Sequence, residues 1–83
     1  MINENEIDVI KSSDFVLVST LYCLGFDIIG IDKTNRQRVV FYFRRTSDLE
    51  VTIGKFGTGD ILVKPQDFST AQREIKGKIY TDE

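Results

Sequence analysis

The residues best suited to chemistry in this sequence are basic and aromatic side chains around one predicted β-hairpin. Two β-prone runs, residues 26–32 and 38–45, flank a polar loop at residues 33–37. Arginine forks beside an aromatic ring suit phosphates and the bases of single-stranded nucleic acid or of a signalling nucleotide. The candidate binding residues are Lys33, Arg36, Arg38, Tyr42, Arg44 and Arg45.

The same side chains also fit two plainer arrangements. Asp32 can pair with Arg38 across the strands of a solvated sheet, while Tyr42 packs on Ile28. Alternatively, helices cover this face and the arginines reach its rim by their tips. The sequence leaves the three interpretations open.

Most enzyme chemistry lacks its usual residues here. The chain has no histidine, which removes the commonest general base and metal ligand. The single Cys23 cannot build a zinc site, and we expect it inside a helix as a small core residue. Asp27 and Asp32 would lie on opposite faces of their strand, so they form no catalytic pair. We therefore predict no enzyme activity, no cofactor and no metal.

A glycine-rich stretch at residues 54–59, Gly-Lys-Phe-Gly-Thr-Gly, has the composition of a phosphate loop. A P-loop needs Gly-Lys-Ser/Thr at the start of a helix that follows a strand. Here the glycines follow a helical stripe instead. The stretch is therefore predicted to end a helix.

The hairpin register decides which side chains form the core. Pairing Asp32 with Arg38 places Ile31 opposite Val39 and Ile29 opposite Phe41. The inner face is then predicted to carry Ile29, Ile31, Val39, Phe41 and Phe43. The other face is then predicted to carry Ile28, Gly30, Asp32, Arg38, Val40, Tyr42 and Arg44.

The segments before the hairpin predict a short strand and a helix. Residues 1–11 are an N-terminal segment, partly disordered or forming a short strand over residues 6–11. A serine at position 12 or 13 is the expected N-cap of a helix over residues 13–24. That helix is apolar nearly all round, so it must be buried on more than one side, and Gly25 ends it.

Two further helices are predicted after the hairpin. Ser47 and Glu50 match a capping box at the start of a helix over residues 47–56. Pro65 then opens a helix over residues 65–79. The sequence thus predicts an α+β fold, one small domain over residues 12–80 with a tail at 81–83. Its order is (β)αββαα, with a central antiparallel β-hairpin packed by helices.

These signals also resemble a known family. The matching segments are Ser13-Asp14-Phe15, Leu21 with Leu24-Gly25-Phe26, Ile29-Gly30-Ile31-Asp32, residues 38–43, Leu62-Val63-Lys64-Pro65, and Ile75-Lys76. Over about residues 12–80 the chain is similar to a small family of domains of unknown function that occurs in bacteria and their phages. The resemblance implies this fold and a mobile-element origin. Its motifs are helix caps and an apolar hairpin, so it implies no catalytic residues.

Size and charge bound the functional class. A chain of 83 residues makes one small domain that gains from oligomerisation. A net charge of −2 argues against both a constitutive duplex-DNA binder and a DNA mimic. The lone cysteine and the lack of a leader or long apolar run predict a cytoplasmic protein with no membrane contact.

Two functions fit these constraints. The first is a non-enzymatic binding module, encoded by a phage or mobile element, that modulates or inhibits a host protein such as a defence or CRISPR component. The alternative is nucleic-acid or signalling-nucleotide binding through the basic aromatic hairpin face. We predict a homo-oligomer in either case, because a two-stranded hairpin leaves two open edges and the first helix is too apolar for one sheet to cover.

Overall fold

The computed structural model describes residues 8–81 and has the predicted α+β architecture. Its elements are β1 (Val9–Ser12), α1 (Phe15–Cys23), β2 (Ile28–Asp32), β3 (Val40–Arg44), α2 (Ser47–Thr58) and α3 (Pro65–Tyr80). The strand order is β1-β3-β2, and β3 is antiparallel to both neighbours. The element order βαββαα is therefore confirmed. The N-terminal strand begins at Val9, while the expected disorder of the first residues and most of the predicted tail lie outside the described residues.

The hairpin register differs from the predicted one because β2 contains a β-bulge. The paired residues are Ile28 with Phe43, Gly30 with Tyr42, Ile31 with Phe41, and Asp32 with Val40. Ile29 is thus the extra residue, and the predicted pairing of Asp32 with Arg38 is wrong. The bulge turns Ile29 outward, where 41% of it is exposed. Ile28 takes the inner position in its place.

Helix α1 is the buried centre of the molecule. Val18 and Leu21 are fully buried and join the inner face of the sheet in the core. Helix α1 also packs against α3, with a smaller contact to α2. This confirms that a helix apolar nearly all round is covered on more than one side.

The ends of α1 show why the helix stops where it does. Asp14, and not a serine, is the N-cap: its Oδ1 accepts hydrogen bonds from the backbone N–H groups of Val16 and Leu17 at 3.0 and 3.2 Å. At the other end Gly25 has a φ of +97°, as predicted for the residue that ends this helix. The Phe26 N–H then donates to the Leu21 carbonyl, 3.0 Å away.

The start of α2 is also displaced by one residue from the predicted cap. The Leu49 N–H donates to the Thr46 Oγ1 at 3.1 Å, so Thr46 is the N-cap in place of Ser47. Helix α2 ends at Gly59, where φ is +79°. The glycine-rich stretch therefore lies in and at the end of α2, which confirms its role as a helix terminator.

The helices pack on one face of the sheet. Phe41, Phe43 and Val39 of this face are buried together with Leu49 of α2 and Ile75 of α3. The outward residues of the strands are absent from this core; they are Val9, Lys11, Gly30, Asp32, Val40, Tyr42 and Arg44. The interpretation in which helices cover the basic face is thus wrong for the part of the chain described, although the end of α3 reaches the edge of that face beside β2.

Candidate functional site

Tyr42 lies at the centre of the outward face of the sheet. Its cross-strand neighbours are Lys11 on β1 and Gly30 on β2. The Lys11 Nζ lies 5.5 Å from the centre of the Tyr42 ring, a cation–π distance. A Cβ added to Gly30 would stand 3.6 Å from the Tyr42 Cβ, which is an ordinary contact. Because Gly30 lacks that carbon, the space beside Tyr42 stays open.

This space continues into an open pocket at the β2 edge of the sheet. The pocket has a volume of about 940 Å³. Its lining consists of Gly30, Ile31, Asp32, Lys33, Thr34, Tyr42, Lys78 and Thr81. The Lys33 Nζ donates a hydrogen bond to the Thr81 carbonyl at 2.6 Å, which ties the hairpin to the end of α3. We call this the Tyr42 pocket.

The charge of the Tyr42 pocket is predominantly positive. Lys33 and Lys78 line it, and Lys11 stands over the ring. Asp32 is the acidic residue of the lining, and its carboxylate accepts a hydrogen bond from the Thr34 N–H at 2.9 Å. Hydrogen bonds from Thr34, aided by the charge of Lys11, lower the pKa of Asp32. The carboxylate is therefore held ionised and in a fixed position.

The structure separates several of the arginines that the sequence groups together. The Arg38 Nε donates to the Ser13 Oγ at 3.1 Å, and Arg36 is exposed in the loop. Arg44 points outward near the other end of β2, where it borders a hollow with Ile29. Among the six predicted residues, the structure brings Lys33 and Tyr42 into one pocket.

Arg45 ties three parts of the fold together. Its Nε donates to the Asp8 Oδ1 at 2.9 Å, and its Nη1 donates to the Glu50 Oε2 at 3.0 Å. Its Nη2 also donates to the Val9 carbonyl. Hydrogen bonds to Asp8 and then Glu50 raise the pKa of Arg45. This side chain therefore links β1 to the start of α2 and is already engaged in the free protein.

Apart from Lys33 and Tyr42, the residues that line the Tyr42 pocket were missed at the sequence level, and so was Lys11 over the ring. The outward position of Lys11 could have been predicted, because side chains alternate between the two faces of the N-terminal strand. Gly30 was placed on that face but was not recognised as leaving space. Lys78 comes from the end of α3, and no local pattern indicates where that helix end packs.

A second surface combines apolar side chains from three elements. Leu24 follows α1, Ile29 is the bulge of β2 and Val51 lies in α2; they are 42, 41 and 56% exposed. The half-buried Phe26 lines both of two adjoining hollows, one with Leu24 and Val51 and the other with Ile29. We call these four residues the apolar patch. The sequence missed the patch because the bulge that turns Ile29 outward has no local signature.

Cys23 is the last residue of α1 and is half-buried. Burial raises the pKa of its thiol, and the nearby charge of Asp67 adds to the effect. Between residues 8 and 81, no cluster of three Cys, Asp or Glu residues is placed to hold a metal ion. Over the same stretch, no helix is long and apolar enough to cross a membrane.

The fold and its surfaces define a small α+β domain with one open sheet face and one apolar patch. The chain belongs to the family described as domain of unknown function DUF5659, whose model matches residues 7–81. This bears out the resemblance to an uncharacterised family. Comparisons with curated proteins and with solved structures find no match.

Proposed function

We propose that this protein is a non-enzymatic binding module that engages a partner protein through the apolar patch. The observation that carries the proposal is that Leu24, Ile29 and Val51, each more than two-fifths exposed, border two hollows that share Phe26. Apolar side chains scattered singly over a surface are ordinary, whereas a contiguous group marks an interaction site. The lack of histidine supports a role in binding rather than in turnover.

The surroundings of the patch fit a protein interface. Its rim carries charges of both signs, with Asp48 and Lys55 in α2 and Arg44 at the end of β3. An apolar centre with a charged rim is the usual layout of a protein–protein contact. The tight turn at Gly25 fixes the chain between Leu24 and Phe26. These anchors are therefore ordered before binding, which lowers the entropy that association costs.

The partner proposed is a bacterial host protein, such as a defence component, whose action is modulated or blocked when its apolar surface is covered. The resemblance to domains of bacteria and their phages supports this choice. A mobile-element origin and a cytoplasmic location belong to the same proposal.

The test uses the change Val51→Asp, which places a charge at the most exposed position of the patch. Leu62→Asp is the matched control, because Leu62 is 93% exposed and lies outside the patch. Both variants should keep the melting temperature of the parent within a few degrees, since neither residue is part of the core. Immobilised parent and variants are then incubated with bacterial lysate, and the retained proteins are quantified by mass spectrometry.

The expected result is a protein retained by the parent and by Leu62→Asp but lost with Val51→Asp. Direct titration of that protein against the three chains should give the same order of affinity. Equal retention by all three chains would contradict the proposal, because binding would then not depend on the patch.

A further inference from the structure

We propose that the Tyr42 pocket binds a nucleotide unit, an aromatic base joined to phosphate, supplied by a free nucleotide or by single-stranded nucleic acid. This site goes beyond partner-protein binding and shares no residue with the apolar patch. It differs from the predicted hairpin site because the bulged register and α3 select another set of side chains. The inference rests on an aromatic surface, a space beside it and an excess of lysines.

The aromatic surface and the space belong to adjacent strands. Tyr42 is half-buried on the outward face, which anchors the ring on the sheet. Gly30 faces it directly and adds no side chain. A planar base can therefore lie against the ring and over Gly30. Stacking of this kind tolerates any base, since each has a π-face.

The lysines are placed to hold a phosphate next to that base. Lys33 uses one of its three N–H groups on the Thr81 carbonyl, and the others can donate to phosphate oxygens. Lys78 also lines the pocket, with its Nζ 5.7 Å from the centre of the Tyr22 ring, and Lys11 approaches from β1. The chain carries a net charge of −2, so the positive field of this pocket is local. A local field of this sign draws an anion to one place on an otherwise acidic molecule.

Asp32 gives the pocket a preference beyond simple anions. Its ionised carboxylate, fixed by Thr34, accepts hydrogen bonds and repels phosphate oxygens. It therefore suits the amino group of a base or a sugar hydroxyl, with the phosphate held towards the lysines. Inorganic phosphate could bind the lysines, but it would not stack on Tyr42 and would make no favourable contact with Asp32.

The probes are a fluorescein-labelled oligothymidylate and a fluorescent ATP analogue, each titrated with the full chain at low salt and followed by anisotropy. Gly30→Val is the main variant, because it fills the space, keeps every charge and suits a strand. Its melting temperature serves as the folding control.

A pair of charge variants separates the site from general electrostatics. Lys33→Gln/Lys78→Gln removes two positive charges at the pocket. Lys55→Gln/Lys64→Gln removes the same number elsewhere on the surface. We expect at least about a tenfold loss of affinity in the first double variant and in Gly30→Val, and a loss below about twofold in the control.

Each outcome decides the proposal. Stronger binding of the oligonucleotide supports it with single-stranded nucleic acid as the source, and stronger binding of the ATP analogue supports it with a free nucleotide. Absence of binding by both probes at low salt overturns it. Binding that Gly30→Val and the pocket lysine variant leave unchanged, or that inorganic phosphate displaces as well as ATP does, also overturns it. Val51→Asp should bind both probes normally, so this result does not depend on the partner-protein proposal.

Discussion

Phe41 is one of the buried side chains through which the sheet packs against the helices. It is 2% exposed and belongs to the core with Leu21 and Ile75. Phe41→Ala should lower the free energy of unfolding by about 3–5 kcal/mol, because it removes buried apolar surface and leaves a cavity. That loss is a large part of the roughly 5–15 kcal/mol available to a domain. Urea denaturation measures it, and a loss below about 1 kcal/mol would contradict the assignment of the inner face.

Ser19 offers the opposite test. It is fully buried in α1, and its Oγ has no hydrogen-bond partner among residues 8–81. Ser19→Ala should raise the free energy of unfolding by about 1 kcal/mol, because it removes a buried unsatisfied hydroxyl and improves helix propensity. Thr20→Val is the comparison, since the Thr20 Oγ1 donates to the Val16 carbonyl at 2.7 Å and its loss should bring no gain. Destabilisation by Ser19→Ala would show that the hydroxyl is satisfied in solution.

Replacing a glycine by alanine should change the stability of the fold in opposite directions at the end of a helix and inside a helix. Gly25 has a φ of +97°, so Gly25→Ala strains the backbone and should destabilise the fold by about 1–2 kcal/mol. Gly77 lies inside α3 with open space around it, so Gly77→Ala should stabilise the fold by about 0.5–1 kcal/mol. Thermal melts of both variants check this pair. Equal shifts in the same direction would contradict the assigned end of α1.

The helices and strands were largely predictable from the sequence, but their exact ends and the strand register were not. A run of residues that is apolar nearly all round, ended by Gly25, located α1, and Pro65 located the start of α3. The N-caps fell on Asp14 and Thr46 because each stands beside serines that cap equally well in isolation. The bulge at Ile29 shifted the pairing because a sequence of alternating residues does not show where one extra residue enters a strand.

The candidate site was less predictable than the fold, because its parts come from separate elements. Lys33 and Tyr42 lie near each other in the chain, and the hairpin brings them together. Lys78 arrives through the packing of α3, which depends on the whole core. Arg38 and Arg45, in contrast, are drawn to Ser13 and to Asp8 by the placement of β1 and α1.

At the scale of the whole molecule, the two surfaces lie at different ends of β2. The apolar patch uses Ile29 and the turn before it, while the Tyr42 pocket uses Gly30 to Thr34. One short strand therefore contributes to both. Substitutions at Val51 and at Lys33 should nevertheless affect partner binding and nucleotide binding independently. The two side chains lie in different parts of the fold, and no hollow is lined by both.

The homodimer was predicted because the hairpin leaves two open edges and because the first helix is too apolar for one sheet to cover. Within one chain, the fold already pairs one of these edges and covers part of this helix. β1 pairs with the second side of β3, so β3 is a central strand. α3 packs against α1 and so covers part of the apolar surface of that helix. β2 carries a bulge in its pairing with β3, and because a bulge bends and twists its strand, the open edge of β2 is a poor template for pairing with another strand. If the homodimer forms, the apolar patch is the surface best suited to it.

We therefore expect weak, concentration-dependent self-association through the apolar patch. A two-fold contact would bring the patch of one copy against the same patch of the other, covering Leu24 and Val51 in both. Sedimentation equilibrium across the micromolar range should show a dimer for the parent and for Leu62→Asp, and a monomer for Val51→Asp. A dimer that survives Val51→Asp would place the contact at another surface, such as the β2 edge. A parent that is monomeric at every concentration would refute the homodimer and leave the patch to a different partner. Because one patch cannot face two proteins at once, a captured partner should also dissociate the dimer as it binds.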